Sequence, residues 1–388
     1  MKALNASNQT VIQLMAATLL LLFAGQVAAF DYSTLPSAPP EMHQCMKEKL
    51  DTGKMEYVHS GQRPKDKRTR KAIRTTYEMC LAAAGTSRDN PTYDGPLFDA
   101  MSQIDEMVDM DQAIRNVRAA GVTKLALFAR SRKRLHQNEQ AVLDLAARNT
   151  DLIILGAPKY FRLSDDISHA YIDSTVEGIR KHGYKFIGEI LYTHGDKSTG
   201  KQYARGERYI DPSLPGTARL MEALAPLKLP VMVHWEPYAP KRDFPRFHAL
   251  YAAWPNQVFI LPHMGFATAE TIDDFMSMHP NLHALTSKKE RLMDNFSDPA
   301  KKALIGPSML EDGVLRPDWK SLLIKYQDRI LFGTDPHMKK LWNKYGKIVS
   351  DQRRILGQLP REVAEKIAYK NAEKLYGVRL NETAQDNN

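Results

Sequence analysis

The stretch Arg329–Pro336 constrains this chain more than any other. Ile330, Leu331 and Phe332 form an apolar run of strand length that stops abruptly at Gly333, Thr334, Asp335 and Pro336. A strand apolar at successive positions is buried on both faces, which requires helices on either side of a parallel sheet. Asp335 then stands at the carboxyl end of that strand, the end at which parallel barrels carry their chemistry. Two further apolar runs, Leu229–His234 and Val258–His263, end in histidine, and Lys185–Leu191 carries Glu189. A carboxylate, two imidazoles and a second carboxylate at such positions suit a metal site or a proton-transfer site.

The same alternation runs through most of the chain. Expected strands at Leu97–Gln103, Lys124–Ala129, Leu152–Ala157, Phe186–Leu191, Val231–His234, Val258–Pro262, Leu282–Ser287 and Ile330–Gly333 are separated by amphipathic segments. The spacing predicts helices over Asp111–Ala120, Glu139–Arg148, Asp165–His182, Ala218–Leu227, Pro245–Ala253, Thr268–Met278, Ser350–Leu356 and Glu362–Tyr376. Eight strand–helix units predict an α/β fold, a (β/α)8 TIM barrel over residues 96–380. A doubly wound open sheet is the competing architecture, but it does not bring the first and eighth strand ends together.

Outside the barrel the sequence predicts three other regions. Residues 1–29 read as a signal peptide: Lys2, an apolar segment from Val11 to Gly25, and small residues at Val27–Ala29, with Phe30 first in the mature chain. The apolar run is short for a membrane span. A periplasmic or secreted location follows, with no stable membrane anchor. Residues 30–95 read as a helical extension containing both cysteines, Cys45 and Cys80, and an oxidising compartment favours a disulfide between them. Residues 381–388 are polar and expected to be disordered. The formal charge of +9 is densest over Arg63–Arg74. No aromatic residue interrupts that run to stack bases, so a solvated helix face is expected there rather than a nucleic-acid site.

Taken in order, Phe98–Asp105, Val233–His234, Leu261–Gly265, Leu331–Pro336 and Asn371–Gly377 resemble the amidohydrolase-related family of the amidohydrolase superfamily. That family comprises metal-dependent hydrolases, lactonases and decarboxylases. Its first strand carries His-x-His, both side chains binding metal. Here Met101, Ser102 and Gln103 occupy those positions, and neither a thioether nor an amide is a good zinc ligand. The resemblance implies one divalent metal, zinc before manganese, held by Glu189, His234 and His263 with water completing the shell. Asp335 and His263 are the catalytic candidates, Asp335 taking a proton from the attacking water. His194 and His337 stand close enough in sequence to reach the same face, although a surface histidine is the preferred account of each.

Arg130, Lys159, Tyr160 and Trp235 follow strand ends and are candidate substrate contacts, a cation clamping a carboxylate and a ring walling the site; Tyr238 is a further wall candidate. Two long connections, Tyr192–Pro212 and Ser287–Asp318, are expected over the same face, and the basic content of the first suits an anionic small molecule. His169, His182, His248 and His279 fall on helices and are expected to face solvent. The leading expectation is an exported hydrolase of a carboxylic ester, lactone or amide. A decarboxylase is the rival within enzymes, and a catalytically silent binding protein the rival outside them. Dimers are common in the resembled family.

Overall fold

A computed structural model describes residues 32–37, 40–87, 92–130, 135–159, 166–195, 208–289 and 305–381. The expected signal peptide, Tyr160 and the tail beyond Asn381 lie outside these residues. Among the described residues no helix is long and apolar enough to cross a membrane. The chain divides into two compact units, Met1–Arg88 and Asp89–Asn388.

The first unit contains helices Pro40–Lys49, Thr52–Ser60 and Lys67–Ser87. Asp51 starts the second by accepting the Lys54 amide at 2.9 Å, and Gly61, left-handed at φ 68°, ends it. Leu35, Met46, Val58, Ile73 and Cys80 are buried together. So small a core needs a covalent tie, and Cys45–Cys80 supplies it with a Cα–Cα distance of 5.7 Å. Closing that loop removes about 3–4 kcal/mol of unfolded-chain entropy on the loop-closure account. The basic run enters the third helix with Arg63, Lys65, Lys67, Arg68 and Lys71 exposed, a solvated face.

The second unit is built on eight parallel strands: β1 Phe98–Ile104, β2 Lys124–Ala129, β3 Ile153–Leu155, β4 Ile187–Leu191, β5 Val231–His234, β6 Phe259–Leu261, β7 Leu282–Leu285 and β8 Ile330–Leu331. Ladders join β1 to β3 in order, and β4 to β8 in order. Both seams between these groups are closed by backbone hydrogen bonds. At one, Ala157 donates to Phe186 at 2.9 Å and Gly188 donates to Ala157 at 3.1 Å. At the other, Ala100 donates to Phe332 at 3.0 Å and Asp335 to Met101 at 2.9 Å. A ring of strands with no free edge is a TIM barrel, and the open-sheet alternative is excluded.

Side-chain alternation sorts the strands' residues into two layers. Phe98, Ala126, Phe128, Phe186, Met232, Ile260, Leu285 and Leu331 fill the barrel interior. Leu125, Leu127, Val231, Val233, Phe259 and Leu261 point outward to the helices. Two strands break the alternation: the register shifts in β1 between Asp99 and Ser102, and in β4 between Ile187 and Ile190. The first shift keeps Met101 in the interior with Phe98. Buried Asp99 fixes it by accepting from Met101 N at 3.2 Å, Ser102 Oγ at 2.8 Å, Tyr345 Oη at 2.8 Å and Thr334 N at 3.0 Å. Those bonds tie the β1 irregularity to the segment that carries Asp335.

Candidate active site

Met101 belongs to the apolar layer and does not reach the mouth. Above it, at the carboxyl ends of the strands, lies a polar cluster. His234 continues the inward face of Met232 by period two. Asp335 does the same after Leu331 and Gly333. Gln103 and Glu189 follow the two register shifts. His263 is turned by a left-handed backbone at φ 59°, and Asp335 and Lys288 are left-handed too, at 47° and 59°. Among the described residues seven non-glycines are left-handed, and these three meet in one cluster, where such a backbone stores strain of the kind functional sites carry.

Glu189 is the hub. Its Oε1 lies 2.6 Å from His234 Nδ1 and 3.6 Å from His263 Nε2. Its Oε2 is paired with Lys159 Nζ and lies 3.3 Å from Gln103 Nε2. His263 Nε2 also lies 3.4 Å from Asp335 Oδ2. Asp335 is paired with Lys288, whose Nζ is 2.9 Å from His337 Nδ1. Gln103 Nε2 donates to Asp335 Oδ1 as well, so one amide spans both carboxylates. Each imidazole is fixed from behind: Glu236 Oε1 sits 3.0 Å from His234 Nε2, and Ser287 Oγ 2.9 Å from His263 Nδ1.

Charge follows from this geometry. Burial opposes ionisation of Glu189, but Lys159 and His234 outweigh it and hold the carboxyl well below its usual range. Burial likewise opposes Asp335, and Lys288 with the neighbouring imidazoles keeps it ionised. His234 is raised, because Glu189 and Glu236 overcome its burial. His263 is lowered to about 4, by burial first and Lys288 second. A proton on the pair therefore resides on His234.

Glu189, His234 and His263 each turn a donor atom to one point, all within 4.8 Å of one another. Ligands of a tetrahedral ion with bonds near 2 Å stand roughly 3.3 Å apart, so these three fit one ion with small movements. Carboxylate and hydroxyl support behind the two rings is the arrangement that orients metal-binding histidines. A second group, His194, His234 and Glu236, meets the same distance limit through the other face of His234.

The structure thus brings Glu189, His234, His263 and Asp335 together, and adds Lys159, which reaches inward rather than standing at the rim. Arg130 is half-buried beside this cluster, donating to the His337 carbonyl and 3.5 Å from Asp105. Trp235 is not brought to the mouth. Period two turns it outward, where its Nε1 donates to Tyr251 Oη at 2.9 Å among Phe244, Phe247 and Phe275. Tyr238 packs with Phe266 and Ile305. His279 is a second departure: it is 6% exposed and meets His248 rather than solvent. The sequence reading passes over Glu236, Ser287 and Lys288. Glu236 was within reach, two residues beyond His234 on the same face.

A family model described as "Amidohydrolase" matches residues 175–378. No curated protein matches the chain. Among solved structures, an uncharacterised TIM-barrel protein of Bordetella bronchiseptica is 14% identical, covering 68% of this chain and 81% of its own, with a TM-score of 0.47. A probable 2-pyrone-4,6-dicarboxylic acid hydrolase of Acinetobacter baumannii is 13% identical over 74% and 99%, at 0.45. A 2,6-dihydroxybenzoate decarboxylase from Rhizobium is 14% identical over 69% and 88%, at 0.42. At these scores the likenesses bear no weight, and the fold rests on the closed ring of strands.

Proposed function

The chain belongs to the amidohydrolase family, and on that premise we propose that it is a hydrolase of a small anionic ester, lactone or amide, working with one divalent ion, zinc before manganese. The observation that carries this reading is the convergence of Glu189 Oε1, His234 Nδ1 and His263 Nε2 beside Asp335. Glu189, His234 and His263 would hold the ion, with Glu236 and Ser287 keeping the rings oriented. Such an ion, when bound, polarises a carbonyl and lowers the pKa of water.

The remaining work falls to the chain's own groups. Asp335 stays a carboxylate across the working pH range, because Lys288 and the imidazoles stabilise its charge. Lys288 also makes it a poor base while the pair lasts. An anionic substrate group drawing Lys288 away frees Asp335 Oδ2 to take the proton of the attacking water and return it to the leaving oxygen or nitrogen. Arg130, half-buried next to His337, is a second cation for that anionic group. The buried state of Gln103, Glu189, His234, His263 and Asp335 keeps bulk water from screening these charges.

A silent binding protein is the second reading. It is favoured by Lys159 and Lys288, which already neutralise both carboxylates. Metal analysis of the purified chain separates the two. The hydrolase requires about one equivalent of metal, lost together with ester or lactone turnover in His263→Ala; no metal under any loading condition leaves the binder. Product analysis distinguishes hydrolysis from decarboxylation by the absence of released CO2. We also propose export with cleavage near Ala29, which the Cys45–Cys80 bond supports. N-terminal sequencing of protein recovered from the periplasm or medium should begin at Phe30.

A further inference from the structure

Glu189 divides the mouth into two halves. Its Oε1 serves the imidazole half, where the proposed ion sits. Its Oε2 serves a different half, bounded by Lys159 from the end of β3 and Gln103 from β1. Lys159 Nζ also donates to Gln103 Oε1 at 3.3 Å, while the amide of Gln103 is held by Asp335 Oδ1. Glu189 Oε2 and Gln103 Oε1 thus line the position Lys159 Nζ occupies with oxygen, one of the two atoms on a carboxylate. Oxygen donors of that kind take hard cations. Here the cation is a side chain. Lys159 is 5% exposed, and an ammonium withdrawn from water is disfavoured unless its partners offset the lost hydration. Removing Lys159 would strip Glu189 Oε2 of its cation in a dry site.

We propose that Lys159 is a resident cation filling a second, oxygen-lined cation position, so that the mouth accepts one exchangeable divalent ion and no more. This rests on the reading that the imidazole half binds an ion, but it concerns the other half and is tested separately. A tethered amine can be neither chelated nor exchanged, so it occupies the position beside Glu189 whatever the metal supply.

The experiment counts ions on the full chain. Protein stripped with chelator is titrated with Mn2+, and bound metal is measured by mass spectrometry and by the Mn2+ electron paramagnetic resonance signal. Four forms are compared: the unaltered chain, Gln103→His, Lys159→Met, and both substitutions together. The unaltered chain and Gln103→His should bind equal numbers of ions, and the double variant one equivalent more than Gln103→His. Extra metal in Gln103→His with Lys159 intact overturns the proposal, as does a folded double variant with no gain. Should the double variant fail to fold in chelator, recovery on refolding with Mn2+ supports the proposal, and no recovery with any divalent ion overturns it. The quantity read is a difference between variants. An unaltered chain that binds no ion sinks the hydrolase reading and the single-ion clause with it, while the difference between Gln103→His and the double variant still decides whether Lys159 fills a cation position.

Discussion

Of the histidine pairs that lie close together in this barrel, two that share no ring have nearly the same spacing, His234 with His263 at 5.3 Å between ring centres and His248 with His279 at 5.1 Å. Their surroundings differ. The inner pair faces Glu189 and Asp335 and is braced by Glu236 and Ser287. The outer pair is joined by a 2.8 Å contact between His248 Nδ1 and His279 Nε2, with His248 stacked on Phe275 at 3.9 Å and Asp274 3.6 Å away. Burial lowers the affinity of both outer rings for protons. In the inner pair the carboxylates reverse that effect on His234 alone. Burial by itself disfavours a charged histidine; a carboxylate at each ring nitrogen, as at His234, reverses that.

The sharpest way to break the contrast is Glu189→Gln, which turns the inner pair into something like the outer one. Lys159 is then left buried without its counter-charge, so a loss of about 3–5 kcal/mol is expected in urea unfolding, with metal binding abolished. Glu236→Gln is milder. It takes the charge from the rear support of His234, whose other oxygen accepts from Gly195 N at 2.8 Å, and should weaken metal affinity by about 10–100-fold, read by competition with a chelating dye. Its second readout is the His234 ring resonance, whose titration should move to lower pH.

The smallest effect concerns the outer pair. Its rings bind protons less well folded than unfolded, so the unfolded chain takes up protons as pH falls through the ordinary histidine value near 6.5. Stability from this pair is present above that pH and lost below it. His263, held down to about 4, acts in the same direction, whereas His234, being raised, stabilises below 6.5 and loses that contribution as pH rises through its elevated value. His248→Gln should therefore shrink the stability difference between pH 8 and pH 5 without altering metal binding. A change in metal affinity would show that the two pairs are coupled.

Much of this was legible in the chain. The eight apolar runs matched the eight strands because strands buried on both faces are unbroken by polar residues. His234 and Asp335 were assigned to the mouth by position at a strand end, and both follow simple alternation. Trp235 was misplaced for a related reason: strand-end position was used without asking which face the next residue takes. His279 was expected in solvent because a helix end gives no sign of what packs over it.

The sequence alone determined a closed α/β barrel, its order of strands, and the kinds of group gathered at one end, since hydrophobic patterning and chain order suffice for these. Only the tertiary structure decided which of those groups face one another at that end. Strict alternation from Phe98 and from Phe186 points Gln103 and Glu189 outward. Both were turned inward by register shifts, the one in β1 fixed by hydrogen bonds from Tyr345 and Thr334, residues more than 230 positions away, to Asp99. Lys159 on Glu189 and Lys288 on Asp335 are pairings made by charge between neighbouring strand ends, and local spacing does not show them either.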